Sequence, residues 1–336
     1  MKTASIVLYA FVAAGLDGFA EESPSWLRYE GHDGPGAGKH IVLIAADQEY
    51  RSEQSLPMLA AILSKHHGFD CTVLFSVNDD GLVDPTLPIR WQKEGIEHHV
   101  PGLEKLSDAD LMVLFSRLIT LSDEQFVHVT DYLDSGKPVI GIRTANHGFI
   151  DFPYKVNGKR VRFGEDVLGG SFREHHGNWH ADSTRGVVLP AARAHPILRG
   201  VEDIWGPSDV YRTYAKDASL PEACTPLLLG QPLLGRSHDD EPNPAKIPLP
   251  IAWTKTWTGN RGETTRVFHT TMGSAKDYEC ADLRRLTINA AYWCLGLEDA
   301  IDPDRSVDTV GPYEPLSSGF NYEKLGVVPH PVSEYR

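Results

Sequence analysis

Only four cysteines occur in 336 residues, Cys71, Cys224, Cys280 and Cys294, and none stands at a paired spacing. Zinc-finger and thioredoxin-type motifs are therefore absent. Cys280 and Cys294 bracket one predicted helix, which would hold their Cα atoms ~21 Å apart. A disulfide tolerates only ~7 Å, so this pair is excluded. Basic residues are also scarce, 32 Lys and Arg against 46 Asp and Glu, for a net charge of −14. Nucleic acid and anionic lipid both demand a basic surface, so neither is an expected partner. Long apolar runs are missing too. The run Ile6–Ala14 falls well short of the about 20 residues that span a bilayer, and no later segment reaches that length.

What the N-terminus does contain is Lys2, that short apolar run, and the small-residue site Gly18-Phe19-Ala20 before Glu21-Glu22. Basic start, apolar centre and small-x-small end make a secretory signal over residues 1–20, so a periplasmic or secreted protein is expected. Residues 21–39, rich in Gly, Pro and Ser, read as a linker or surface arm. The stretch Gly34-Pro35-Gly36-Ala37-Gly38-Lys39 has the composition of a phosphate loop. A true one follows a strand and opens a helix, whereas this one precedes the first strand.

From His40 the pattern turns regular. His40–Ala46 is a continuous apolar strand, as expected when both faces of a parallel sheet are covered. Ser55–His67 reads as a helix with Pro57 in its first turn and Gly68 as its stop. Strands follow at Cys71–Ser76, Leu111–Ser116 and Val139–Ile142, with a helical stretch near Leu103. Ser122–Ser135 is a helix with Ser122 and Gln125 spaced as a capping box. This alternation predicts an α/β fold, a flavodoxin-like doubly wound parallel sheet. Asn157-Gly158 marks an added hairpin. Gly186–Leu189, Leu227–Leu229, Ile251–Thr256 and Arg266–Thr271 are further strands, and Ala281–Leu295 is the last helix. Residues 298–336 read as an extended tail.

In open parallel sheets ligands bind beyond the carboxyl ends of the strands. Arg51, Arg117 and Arg143 follow three such ends in an otherwise acidic chain. Arginine offers five donors in a fixed fork, which suits a pocket that gathers carboxylate, carbonyl or sugar oxygens. Val139–Arg143 has the shape of a strand–turn–helix elbow, where acyl-transfer enzymes carry a nucleophile. Arg143 at the apex excludes a cysteine mechanism there. His147 and Glu49 are the candidate proton carriers, and Asp209 is a second acidic candidate; both acids also read as ion-pair partners of an arginine. His175, His176 and His180 cluster in a loop at uneven spacing and read as ordinary histidines rather than metal ligands. His66-His67 and His98-His99 read as solvated.

Taken together, Asp47–Glu53, Gly136–Phe149, Gly169–Phe172 with His175, Ala194–Ile197, Ser208–Tyr211, Pro250–Trp253 and Arg266–Gly273 resemble the ThuA-like family, named for trehalose utilisation. The resemblance covers residues 40–297. It implies a class I glutamine amidotransferase-like fold that lacks the catalytic cysteine, and a role in carbohydrate metabolism. Asn146, His175, Asp209 and Tyr211, which lie in these stretches, are expected to join the three arginines around a small-molecule carbohydrate; no cofactor is expected, with a metal left open. Other members carry a His-Ser elbow and a Gly-His after the last strand, where this chain has Arg143-Thr144 and Gly273-Ser274. The leading expectation is an enzyme on a glycoside or an oxidised, keto sugar. A non-catalytic carbohydrate-binding protein and a metal-dependent hydrolase are the alternatives, and a homo-oligomer is left open.

Overall fold

A computed structural model describes residues 25–216 and 219–336. The signal segment lies outside the described residues. In chain order the strands are β1 (Trp26–Tyr29), β2 (His40–Ala46), β3 (Asp70–Phe75), β4 (Leu111–Ser116) and β5 (Val139–Ile142). They continue as β6 (Lys155–Val156), β7 (Lys159–Arg160), β8 (Glu174–His175), β9 (Thr184–Val188) and β10 (Ile204–Gly206). The last four are β11 (Tyr211–Arg212), β12 (Thr225–Pro232), β13 (Leu249–Thr258) and β14 (Thr264–Thr270). The helices are α1 (Ser52–His67), α2 (Asp123–Asp134), α3 (Ala281–Cys294) and the single turn α4 (Tyr322–Leu325).

Ten strands form one sheet in the order β1-β3-β2-β4-β5-β14-β13-β12-β9-β10. Its centre, β3-β2-β4-β5-β14, is parallel throughout. That is the flavodoxin-like order 2-1-3-4-5, as the alternation predicted. The sheet as a whole is mixed, because antiparallel strands are added on both sides of this parallel centre. β13 and β14 are joined by a five-residue loop, too short for a crossover, so they pair antiparallel. β12, β9 and β10 extend the sheet antiparallel from there.

The period-two alternation of the central strands divides the interior into two cores. Ile41, Leu43 and Ala45 of β2 face α1 and α3, while Val42, Ile44 and Ala46 face the α2 side. Both faces are thus covered, which is why β2 is apolar at every position after His40.

Boundaries differ from expectation where tertiary contacts act. The helix expected from Ser55 begins at Ser52, because Arg51 takes a left-handed conformation (φ 63°) and turns the chain into α1 early. Ser122 caps α2 by accepting from the Gln125 amide, but the Gln125 side chain bonds Val100 N and His98 O instead of closing a capping box. Asn157-Gly158 makes the expected turn, both residues at positive φ. Trp26–Tyr29, read as part of a linker, form an antiparallel edge strand on β3. All four cysteines are free.

His67 and His98 are buried, not solvated. His67 lies between the Tyr292 hydroxyl (2.9 Å) and the Ser306 carbonyl (3.0 Å). Burial lowers its pKa to about 4. The unfolded chain takes this proton near 6.5, so the contribution is complete above about pH 6.5 and is lost as pH falls through 4. It amounts to roughly 3 kcal/mol. Urea midpoints measured across that window should fall less steeply for His67→Gln than for the native chain; parallel curves would remove His67 from the acid response.

The tail does not trail into solvent. Tyr313 donates to the Ala275 carbonyl (2.8 Å), Leu316 N to Gln54 Oε1 (2.8 Å), and Gly319 N to the Glu49 carbonyl (2.9 Å). His330 bridges Val83, and Tyr335 packs on Phe75. The last 25 residues therefore cross the carboxyl ends of the central strands.

Candidate active site

β2 and β4 are neighbours whose chains leave in opposite directions, β2 through α1 to β3 and β4 through α2 to β5. The crevice between their carboxyl ends is where such sheets bind ligands. Asp47 closes its floor. Its Oδ1 accepts from the amides of Glu49 (2.7 Å) and Tyr50, and its Oδ2 from Thr144 Oγ1 (2.6 Å). One carboxylate thus bends the loop after β2 and ties it to the loop after β5.

The elbow after β5 has the strained shape expected: Ile142 is extended and Arg143 sits at φ 43°. Arg143 is wholly buried and clamped between the rings of Tyr50 and Tyr211, 4.0 and 4.2 Å from its carbon to each centroid. Its Nη1 donates to the Thr271 carbonyl (2.8 Å) and Ser208 Oγ (3.1 Å), and its Nη2 to Asp209 Oδ1 (3.3 Å). Arg51 is equally buried, donating to the carbonyls of Gln48 (2.5 Å) and Gly319 (3.2 Å), with Glu53 at 3.9 Å. Both arginines, expected to hold substrate, are sealed from solvent and bond mainly protein oxygens, with Arg51 Nη1 and Arg143 Nε left without a hydrogen-bond partner. Arg117 alone of the three is open to solvent. It is 17 % exposed, its Nε reaches Glu49 Oε2 (3.2 Å), and its terminal nitrogens have no protein partner among the described residues.

Glu49 was expected to carry a proton or to pair with an arginine. Both of its oxygens are engaged, Oε1 by Trp179 Nε1 (3.0 Å) and Oε2 by Arg117. Burial raises its pKa despite the neighbouring Arg117. Its role in this arrangement is to orient Arg117 and Trp179.

Two imidazoles, His147 and His175, lie against a shared aromatic wall. His269 Nδ1 faces the Gly141 carbonyl (2.8 Å), which only accepts, so Nδ1 carries the hydrogen and Nε2 the lone pair. Asn146 Nδ2 donates to that Nε2 (3.3 Å), which turns Asn146 Oδ1 toward His147 Nδ1 (2.6 Å). Nδ1 of His147 must then donate, and its Nε2 presents a lone pair with no protein partner among the described residues. Burial, then Arg117 and Arg143, push the His147 pKa well below the histidine range; burial brings His269 to about 3. Gly164 packs so closely that an added Cβ would stand 1.8 Å from the Asn146 carbonyl, which holds this turn in place.

The second imidazole, His175, gives its Nδ1 to Asp209 Oδ2 (2.8 Å), and Asp209 in turn is fixed by Arg143. His147 and His175 share two aromatic walls, Phe172 (5.0 and 5.1 Å between centroids) and Tyr211 (6.2 and 5.3 Å). A cavity of about 360 Å³ opens beside Asn146 and His147, bordered by Phe149, Phe163, Arg162 and Ser171. Ser274, where other members are expected to carry histidine, caps the turn before α3 with Asp277 (3.3 Å). Among the described residues no group of three or more His, Cys, Asp or Glu is arranged to hold a metal, and no helix is long and apolar enough to cross a membrane.

Sequence reasoning brought together His147, Asn146, His175, Asp209, Tyr211 and Arg117. It missed His269, Phe172 and Trp179. A histidine inside the apolar run of β14 was the one available signal, since a buried polar residue calls for a partner. Nothing local marked the aromatic residues.

A parallel core in flavodoxin-like order, with a strained elbow that presents arginine at its apex, defines an α/β flavodoxin-like fold. The chain belongs to the ThuA family, described as trehalose utilisation, which matches residues 42–294. Among solved structures it is similar to a ThuA-like protein from Bacteroides uniformis, 13 % identical, over 82 % of this chain and 98 % of that one, with a TM-score of 0.47. A ThuA-like protein from Parabacteroides merdae is 14 % identical over 89 % and 99 %, with a TM-score of 0.48. A β-galactosidase from Rahnella sp. R3 is 9 % identical over 78 % of this chain and 32 % of its own, with a TM-score of 0.37. No curated protein matches the chain.

Proposed function

We propose that this protein is an enzyme of carbohydrate metabolism that moves a proton on a glycoside or keto sugar, with His147 as the base. The observation that carries this reading is the chain Gly141–His269–Asn146–His147, which holds one neutral imidazole in one tautomer with its lone pair free. A base whose tautomer is fixed by buried partners requires no reorganisation at the moment of reaction.

On a keto glycoside the balanced step is an elimination. His147 Nε2 takes the proton from the carbon between the carbonyl and the glycosidic carbon, and that electron pair forms a double bond as the glycosidic C–O bond breaks. The departing oxygen receives a proton from the second imidazole, His175, which Asp209 orients. Arg117 donates to the carbonyl oxygen as negative charge develops there. Family membership supports the sugar class. The Lys2, Ile6–Ala14 and Gly18–Ala20 pattern supports export, so the substrate would be met outside the cytoplasm.

Proton NMR of the protein mixed with disaccharides and their keto derivatives should show new product signals, and in heavy water deuterium should appear at the carbon beside the carbonyl. Saturation transfer without products would replace the enzyme by a carbohydrate-binding protein. Neither signal from any sugar would end the carbohydrate reading.

A further inference from the structure

The aromatic wall continues outward past His175. Trp179 lies 5.8 Å from His175 between ring centroids, and Phe320 of the tail lies 6.4 Å beyond Trp179. Each step is comparable to the length of one pyranose ring. Both side chains are among the few large apolar groups left open to solvent, 45 % and 37 % exposed.

Neither is loosely held. The one polar atom of Trp179 is tied to Glu49 Oε1, which fixes the ring plane. Phe320 lies against the Arg117 guanidinium, 4.8 Å from ring centre to carbon, and Gly319 before it is bonded to both Glu49 and Arg51. Ordered, exposed aromatic rings beside a free arginine fork are unusual on an acidic surface, because burying their apolar faces would be favourable. A pyranose meets both needs: its C–H face stacks on the rings, and its edge hydroxyls accept from the guanidinium.

We infer that Trp179 and Phe320 form a subsite for the second ring of a disaccharide, with one terminal nitrogen of Arg117 donating to that ring's hydroxyls while the other serves the reacting carbonyl. The C-terminal tail, by supplying Phe320, sets the length of sugar the crevice accepts. The inference rests on the proposed function and names the residues that hold the second ring.

Calorimetric titration with trehalose and with glucose tests it. The native protein should hold trehalose more tightly than glucose. Trp179→Ala and Phe320→Ala should each weaken trehalose by about tenfold and leave glucose unchanged. Phe320→Ala removes nothing from the Glu49 pairing, so it stays informative if Trp179→Ala fails to fold. Equal weakening of both sugars, equal native affinities, or no binding of trehalose overturns the subsite. The proposed function has a separate readout, the turnover lost in His147→Gln; its failure with the trehalose preference intact would leave the subsite standing.

Discussion

Arg143→Ala is expected to lose about 3–5 kcal/mol of folding stability, the loss typical when one partner of a buried ion pair is removed. The guanidinium fills the space between Tyr50 and Tyr211, satisfies the Thr271 carbonyl, and neutralises Asp209. Removing it leaves a cavity, an orphaned carbonyl and an uncompensated buried carboxylate at once. The strained φ of 43° adds nothing favourable to offset these. Arg143→Lys should recover little, because an ammonium can neither stack flat between two rings nor bond several oxygens in one plane. Urea denaturation measures this directly. An unchanged midpoint with lost activity would return Arg143 to the substrate-holding role that its position at a strand end suggested.

His147→Gln is expected to behave in the opposite way, with turnover down about 10²–10⁴-fold and a melting temperature near that of the native protein. Glutamine can keep the contact with Asn146 Oδ1 through its amide, so the surrounding turn retains its bonds, but it has no basic lone pair. The pH profile gives a second check. A base works unprotonated, and burial beside Arg117 and Arg143 pushes the His147 pKa well down. Its activity should therefore persist below the ordinary histidine value of about 6.5 instead of falling there. Turnover that survives in His147→Gln would remove this imidazole as the base.

Much of this architecture was legible before any coordinates. The continuous apolar character of β2, β4 and β5 required cover on both faces, and the helices between them required right-handed parallel crossovers. The crevice followed from that topology. Its contents followed less well. Arg51, Arg117 and Arg143 stand at equivalent sequence positions, one step or a few past a strand end, yet only Arg117 is open to solvent. Arg51 is turned inward by its left-handed backbone and covered by Gly319, and Arg143 is drawn between two tyrosines from distant segments. Long-range neighbours of this kind leave no trace in local pattern.

The same division runs through the rest of the molecule. The sequence by itself determined what depends on neighbours along the chain: strand and helix periodicity, the Asn157-Gly158 turn, the apex residue that rules out a cysteine nucleophile, and the acidic balance. Tertiary structure alone decided what depends on groups far apart in sequence: the tautomer of His147, set through Asn146 by a histidine 122 positions later, the pairing of His175 with Asp209, and the return of the tail over Glu49 and Arg117. The physical reason is that a side chain's charge state and free valences are set by whatever fills the few ångströms around it, and folding chooses those neighbours from the whole chain.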